Sequence, residues 1–442
     1  MLTKRLQPIF FVWLTLGLLF LFGTNADESA GLVLFGCLGL AHSAIGFLRL
    51  GGARFTAGGV FLLSTGLFVF FPALYVAANG PSFDGEAATA AATASYFVQI
   101  FAAAFWWGNY PAASVPSGEQ PRGASFAFFL GLLLTAVGIV LDVAFGLDST
   151  TLSGAATFVG VTMLAVAALS GSKLTLSRLL VTLTAVGVYV FTMFDGGGRL
   201  VLGSLAIAVM LTLNMARPRH WHKAATLIVL PIGLVFLALN RSTAVYTSRG
   251  GVETGLESVI WPFERFAQLL QESLADSLQY AWGETLLAPL VFFVPRAVWP
   301  DKPLGLGAEL AAKFRPELVG VGHSEAALIH GEVVWNFGVA GLVLLIPVVG
   351  IAIRYVDRLL LFSREQTLDS RRSVLVRTTA VLITAGILDL VWVGTFGVAA
   401  RTGQRLLVLA LVFFVFAAFT NRSPVRETPN PELTPSGPQA RS

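Results

Sequence analysis

Two arginines in this chain stand where a guanidinium is costly. Arg296 lies inside the apolar stretch LLAPLVFFVPRAVWPDKP at 286–303, and Arg199 opens an apolar run directly after Asp195-Gly-Gly-Gly. A cation in such a setting needs an anionic partner. The planar guanidinium fork suits a carboxylate or a phosphate, held by two parallel bonds. The glycines before Arg199 let backbone come close to a ligand. Trp299, Asp301 and Lys302 follow Arg296, and Arg315, His323, Glu325, His330, Glu332, Trp335 and Asn336 come after them. His323 has a side chain that titrates near neutral pH. Glu332 begins an apolar run, where a helix dipole would act on it, and Asn336 sits one turn later on the same face. The two histidines are seven apart, each with a glutamate two positions on, and this stretch has no Asp-x-Asp pair. The expected chemistry is therefore metal-independent and without a cofactor: arginine and lysine stabilise developing negative charge, and a glutamate or histidine moves a proton. Trp299 and Trp335 are placed to stack on a sugar or to sit in a membrane-interface belt.

The elements that must position these groups are membrane helices. The chain has 442 residues, 55% hydrophobic and only 12% charged, with mean hydropathy +0.76. A soluble domain carries ~25% charged residues, so a chain of this length and composition reads as polytopic membrane protein. Cys37 is the single cysteine, which excludes a disulfide framework and a cysteine metal cluster. Spans of ~20 apolar residues are expected at 8–24, 30–48, 57–78, 88–108, 124–145, 152–170, 175–194, 199–216, 223–239, 331–353, 373–393 and 403–420. The first run follows Lys4 and Arg5 and reads as an uncleaved span.

Charge sets the orientation. With the N-terminus in the cytoplasm, nineteen of the twenty-nine basic residues but only six of the twenty-five acids fall on the inner side, as the positive-inside rule requires. Both termini are then cytoplasmic. The basic cluster ARPRHWHK at 216–223 reads as an orientation determinant facing anionic lipid rather than nucleic acid. The Pro-rich tail 422–442 reads as disordered. Residues 240–330 form one long outer loop between helices 1–239 and 331–421. Within it, 263–281 has the apolar period of an amphipathic helix with Pro262 in its first turn, and 286–303 reads as a re-entrant or interfacial segment. Ten cations lie outside: Arg199, Arg241, Arg249, Arg265, Arg296, Lys302, Lys313, Arg315, Arg401 and Arg405. Arg265, Lys313, Arg405 and Arg249 read as solvated or snorkelling. Asp142, Asp195, Asp389 and Arg401 fall at one depth near the outer helix ends, which suggests a single outward-facing site; a transporter site would lie nearer the midplane.

Val294-Pro295-Arg296-Ala297-Val298-Trp299-Pro300-Asp301-Lys302-Pro303 is similar to the PR-x-x-W-P-x-K-P signature of bacterial oligosaccharide repeat unit polymerases, the O-antigen and exopolysaccharide polymerases. Gly331-Glu332-Val333-Val334-Trp335-Asn336-Phe337-Gly338 with Gly341 resembles the acidic-x-x-x-N-F-G-x-x-G start of the next span in that family. Gly197-Gly198-Arg199 opening a span also resembles it. The motifs cover roughly residues 190–350; elsewhere the resemblance is one of topology.

The resemblance implies a GT-C-like all-α membrane glycosyltransferase on the outer face of a bacterial cytoplasmic membrane. It would extend undecaprenyl-pyrophosphate-linked glycans without a nucleotide sugar, working beside a flippase and a chain-length regulator. For that reaction Arg296 and Arg199 would stabilise the pyrophosphate. Glu332 ranks first as base and His323 second. Arg241, Arg249, Asp301, Lys302, Arg315, Asn336, Trp299 and Arg401 would bind substrate. The alternatives are an O-antigen ligase using the same donor, and a flippase or other transporter.

Overall fold

In the computed structural model the described residues are 3–23, 28–80, 84–106, 122–145, 152–169, 176–193, 198–239, 256–292, 294, 297–319, 323–368 and 370–420. Every regular element among them is helical. In chain order we label α1 (Thr3–Gly23), α2 (Glu28–Arg49), α3 (Ala57–Asn79), α4 (Gly85–Trp106), α5 (Arg122–Phe145), α6 (Leu152–Leu169), α7 (Leu176–Met193), α8 (Arg199–Ala216) and α9 (His220–Leu239). The outer-loop region holds α10 (Glu257–Leu274), α11 (Glu284–Val291), α12 (Leu306–Phe314) and α13 (Leu328–Phe337). The last three are α14 (Val339–Glu365), α15 (Arg371–Val393) and α16 (Thr395–Phe416). Among the described residues ten helices are long and apolar enough to cross a membrane, the architecture of a polytopic membrane protein, and shorter apolar helices occupy Phe10–Leu21 and Leu176–Thr192.

The tenth expected span is displaced. Its start at 331 falls within α13, which ends at Gly338 with φ +63, and the crossing helix runs Val339–Glu365 instead. Glycine tolerates that backbone conformation where other residues resist it. Glu332 and Asn336 therefore lie on a separate short helix ahead of the span.

Small residues draw the helices together, as they do where lipid supplies no hydrophobic drive. Against α5, a Cβ on Gly160 would stand 2.7 Å from the Gly131 carbonyl oxygen, and Gly138 leaves room for the Thr157 hydroxyl. Consequently α6 is buried along nearly its whole length and forms the centre of the bundle.

Polar side chains hold the start of α3. The Asp357 carboxylate accepts from the Ala57 and Gly58 N–H groups, completing with the Thr56 hydroxyl the cap of the first turn. Asn214 Oδ1 accepts from Phe55 N at 2.8 Å, and Arg364 donates to the Phe55 carbonyl at 2.9 Å. In the segment expected to face lipid, His222 and Lys223 are buried. Lys223 Nζ donates to the Leu50 carbonyl at 2.6 Å, placing a cation at the negative end of α2. Arg219, His220 and Trp221 are the residues of that stretch that lie open.

The amphipathic helix α10 begins six residues earlier than expected, so Pro262 is inside it rather than in its first turn. Phe263, Phe266, Ala267, Leu269 and Leu270 are buried, against α13, α3 and α4 among others, while Leu274 is exposed. Leu274 ends the helix and no longer follows its apolar face.

Candidate functional site

Two glycine breaks shape the candidate site. α15 is interrupted at Gly386, and its end at Gly394 has φ +83. α16 starts at Thr395 and passes through a π turn, Ala399–Gly403, before regular helix resumes at Gln404. Gly386 makes room for the Thr402 side chain, so the π turn presses closely against the break in α15. Wide turns of this kind re-aim side chains and recur at functional sites.

The π turn aims Arg401 at Asp389. Arg401 Nη1 lies 2.6 Å from Asp389 Oδ1, and Arg405 Nη1 is 3.8 Å from Oδ2. Ser204 on α8 donates to Oδ2 at 3.3 Å. Asp389 is fully buried and Arg405 nearly so, whereas Arg401 keeps 24% of its side chain exposed. The shared depth read for Asp389 and Arg401 is thus a direct contact. Arg405, expected to be solvated, is instead buried with its guanidinium carbon 3.7 Å from the centre of the Phe158 ring.

Glu332 occupies the second break. It is completely buried, accepts from the Thr395 N–H at 2.7 Å and from the Thr395 hydroxyl at 2.8 Å, and thereby caps α16 from another helix. Burial raises its carboxyl to about 7, against the opposing pull of the two Thr395 hydrogen bonds. Asn336 is equally buried: Oδ1 accepts from Gly283 N, and Nδ2 donates to the Thr285 hydroxyl and the Glu332 carbonyl. Both ends of its amide hold α11 to α13.

The motif-bearing segment lies over the same breaks. α11 packs on residues 395–403, Gly305 abuts the Phe396 ring, and a Cβ on Gly403 would be 3.8 Å from Phe292. Lys302 folds back so that Nζ donates to the carbonyls of Val294 at 2.7 Å and Phe292 at 3.0 Å, tying the turn at 299–302 to the end of α11. Trp299 and Asp301 are exposed on that turn. Arg296, like Arg241, Arg249 and Asp195, lies outside the described residues. Arg199, at the head of α8, is buried and donates to the Ser258 hydroxyl of α10 at 3.0 Å. Its α-helix runs five residues, ~7.5 Å of rise, to Ser204 and Asp389.

A further cluster sits on α10. Glu325 takes Arg265 Nε at 2.6 Å, Arg315 Nε at 3.7 Å and His323 Nε2 at 3.6 Å, with both guanidinium groups within 5 Å of the Trp261 ring centre. Arg265, expected to be solvated, is therefore a partly buried strut, and Lys313 pairs with Glu272 at 2.8 Å. His330, the other histidine of the loop, packs on Phe266 and is driven down to about 4 by burial, which keeps it neutral. Among the described residues no three His, Cys, Asp or Glu side chains gather as a metal site requires.

Sequence reading missed the roles of Thr395, Glu325 and Arg405. Only Arg405 left a signal: it is one turn after Arg401, at the head of an apolar run. The chain matches no protein-family model, no curated protein and no solved structure.

Proposed function

We propose that this protein is a membrane glycosyltransferase that polymerises undecaprenyl-pyrophosphate-linked oligosaccharide repeat units into a surface polysaccharide on the outer face of the cytoplasmic membrane. One observation carries the reading. Segments beside or within the three stretches that resemble the polymerase family all reach the glycine breaks of α15 and α16: Ser204, five residues after Arg199, donates to Asp389; α11, just ahead of 294–303, packs on 395–403; and Glu332 caps Thr395.

In this reaction the acceptor hydroxyl oxygen bonds to the anomeric carbon of the growing glycan. The bond from that carbon to pyrophosphate breaks, the electron pair leaves with the pyrophosphate, and the hydroxyl proton passes to a base. Arg296 and Arg199 stabilise the charge on the leaving group, the largest catalytic contribution ordinarily available. Glu332 is a positioning residue in this scheme, because both its oxygens are engaged by Thr395. His323, partly exposed and held beside Glu325, is the base, with the carboxylate as its orienting partner. Arg315 steadies the loop that carries it.

The test is deletion of the gene in its host and complementation with wild type or Arg296→Ala, reading carrier-lipid and surface glycan by gel and mass spectrometry. Single repeat units in place of a ladder, unrescued by a stably expressed variant, are expected. Long chains stranded on the carrier would make it a ligase, and repeat units trapped on the inner leaflet a transporter.

A further inference from the structure

The cluster beneath Arg401 carries more positive charge than it neutralises. Arg401 and Arg405 share one carboxylate, Asp389. Among the described residues, Asp389 is the only carboxylate that forms an ion pair with either guanidinium, and the other polar side chain packed on the Phe158 ring is Tyr189. A tyrosine hydroxyl is neutral at physiological pH, so the cluster holds a net charge of one proton's worth inside a helical bundle. The Phe158 face 3.7 Å from the Arg405 guanidinium carbon softens this as a cation–π contact. It does not cancel the charge, and an uncompensated ion in such a setting is strongly unfavourable.

Two buried polar atoms at the same place lack a hydrogen-bond partner: Arg405 Nη1 and the Tyr189 hydroxyl. Both residues are at most 3% exposed. Buried donors of this kind are ordinarily satisfied, and orphans mark a missing partner. The elements agree on depth. Tyr189 is four residues from the end of α7, Asp389 four from the end of α15, Ser204 five from the start of α8 and Phe158 six from the start of α6. That places all four ~6–9 Å of helix rise from their helix ends. Arg401, a quarter exposed on the π turn, connects this layer to the exterior.

We infer that Arg401, Arg405, Asp389 and Tyr189 form a binding site for one phosphate-class oxyanion. The anion supplies the missing negative charge, takes the free Nη1 hydrogen of Arg405 and the Tyr189 hydroxyl, and is entered past Arg401. Asp389 keeps the two guanidinium groups apart and oriented while leaving one of them uncompensated. A phosphate ester of a membrane lipid and free phosphate share this chemistry. That the source is a lipid-linked phosphate rests on the polymerase reading; the site itself does not.

The experiment uses the full chain in phosphatidylcholine nanodiscs, with inorganic phosphate, inorganic pyrophosphate, a polyprenyl monophosphate and the matching polyprenol as probes. Thermal unfolding and calorimetry supply the readouts. Wild type is expected to gain thermal stability with the phosphorylated probes and not with polyprenol. Arg405→Gln leaves a neutral Asp389–Arg401 pair, so it should unfold no lower than wild type without anion and bind phosphate at least about tenfold more weakly. Arg405→Lys keeps the charge and should retain a weakened response. Polyprenyl phosphate acting far below the concentration of inorganic phosphate identifies a lipid headgroup; equal potency identifies the soluble anion. No response in wild type, an undiminished response in Arg405→Gln, or an Arg405→Gln protein that unfolds well below anion-free wild type each overturns the inference. Anion binding is read apart from the glycan ladder, so loss of one result leaves the other standing.

Discussion

The Glu332 carboxylate caps Thr395 across 63 residues of sequence, one oxygen on the backbone N–H and the other on the hydroxyl. This pair fastens the outer-loop helix α13 to the first turn of the last membrane helix.

Removing that carboxylate separates structure from charge. Glu332→Ala leaves a buried N–H unmet and should cost ~1–3 kcal/mol, seen as a lower unfolding temperature in detergent. Glu332→Gln can still accept from the N–H and donate to the hydroxyl, so it should fold. The carboxyl is raised from 4.5 to about 7 in the folded protein. Its contribution is therefore complete below pH ~4.5 and lost as pH rises through about 7. Wild type should lose stability relative to Glu332→Gln between pH 5 and 8; parallel curves would show that burial does not hold the proton.

Gly394 has φ +83 and ψ −162, a region that essentially only glycine occupies. A Cβ there would also collide with Glu332 Oε2. Gly394→Ala should destabilise by ~1–3 kcal/mol from backbone strain alone. Combining it with Glu332→Ala should relieve the collision but not the strain, giving less than the sum of the single effects. Strict additivity in the double-mutant cycle would mean that the two positions do not touch.

Asn336 satisfies three groups at once, Gly283 N, the Thr285 hydroxyl and the Glu332 carbonyl. Asn336→Asp keeps the volume but sets a carboxylate oxygen against that carbonyl. We expect a loss of ~2–3 kcal/mol, in the range for a buried charged group left unmatched, and faster proteolysis in the 276–284 segment. An unchanged proteolytic pattern would show that α11 is held by other contacts.

Lys302 closes the turn before it by capping two carbonyls. Lys302→Met keeps the stem and deletes both bonds, so the 299–302 turn should come away from the end of α11 while the bundle stays intact. If the polymerase reading is right, glycan chains should shorten or their yield fall about tenfold or more, with protein abundance unchanged. A full-length ladder would limit Lys302 to packing.

Most of the membrane architecture is legible in the sequence because a ~20-residue apolar run is a local property, set by the thickness of the bilayer. The runs at 30–48, 57–78, 124–145 and 199–216 all correspond to helices. The exception at 331–353 has a local cause of another kind: Gly338, with φ +63, breaks the run after its polar first turns and starts the crossing helix at Val339. The chemistry of polar residues was legible as type and not as partnership. That Asp389 and Arg401 stand at one depth follows from counting residues along two helices; that they touch, with Arg405 on the same carboxylate, depends on a π turn and two glycines bringing those helices together. Likewise Glu332 reads as acidic at a helix start, while its assignment to Thr395 is fixed only once α13 lies against the break between α15 and α16. Hydrophobicity and helix length act along the chain, so the sequence alone determines them. Caps, shared counter-ions and buried orphans act across it, so only the packed bundle decides which side chains meet.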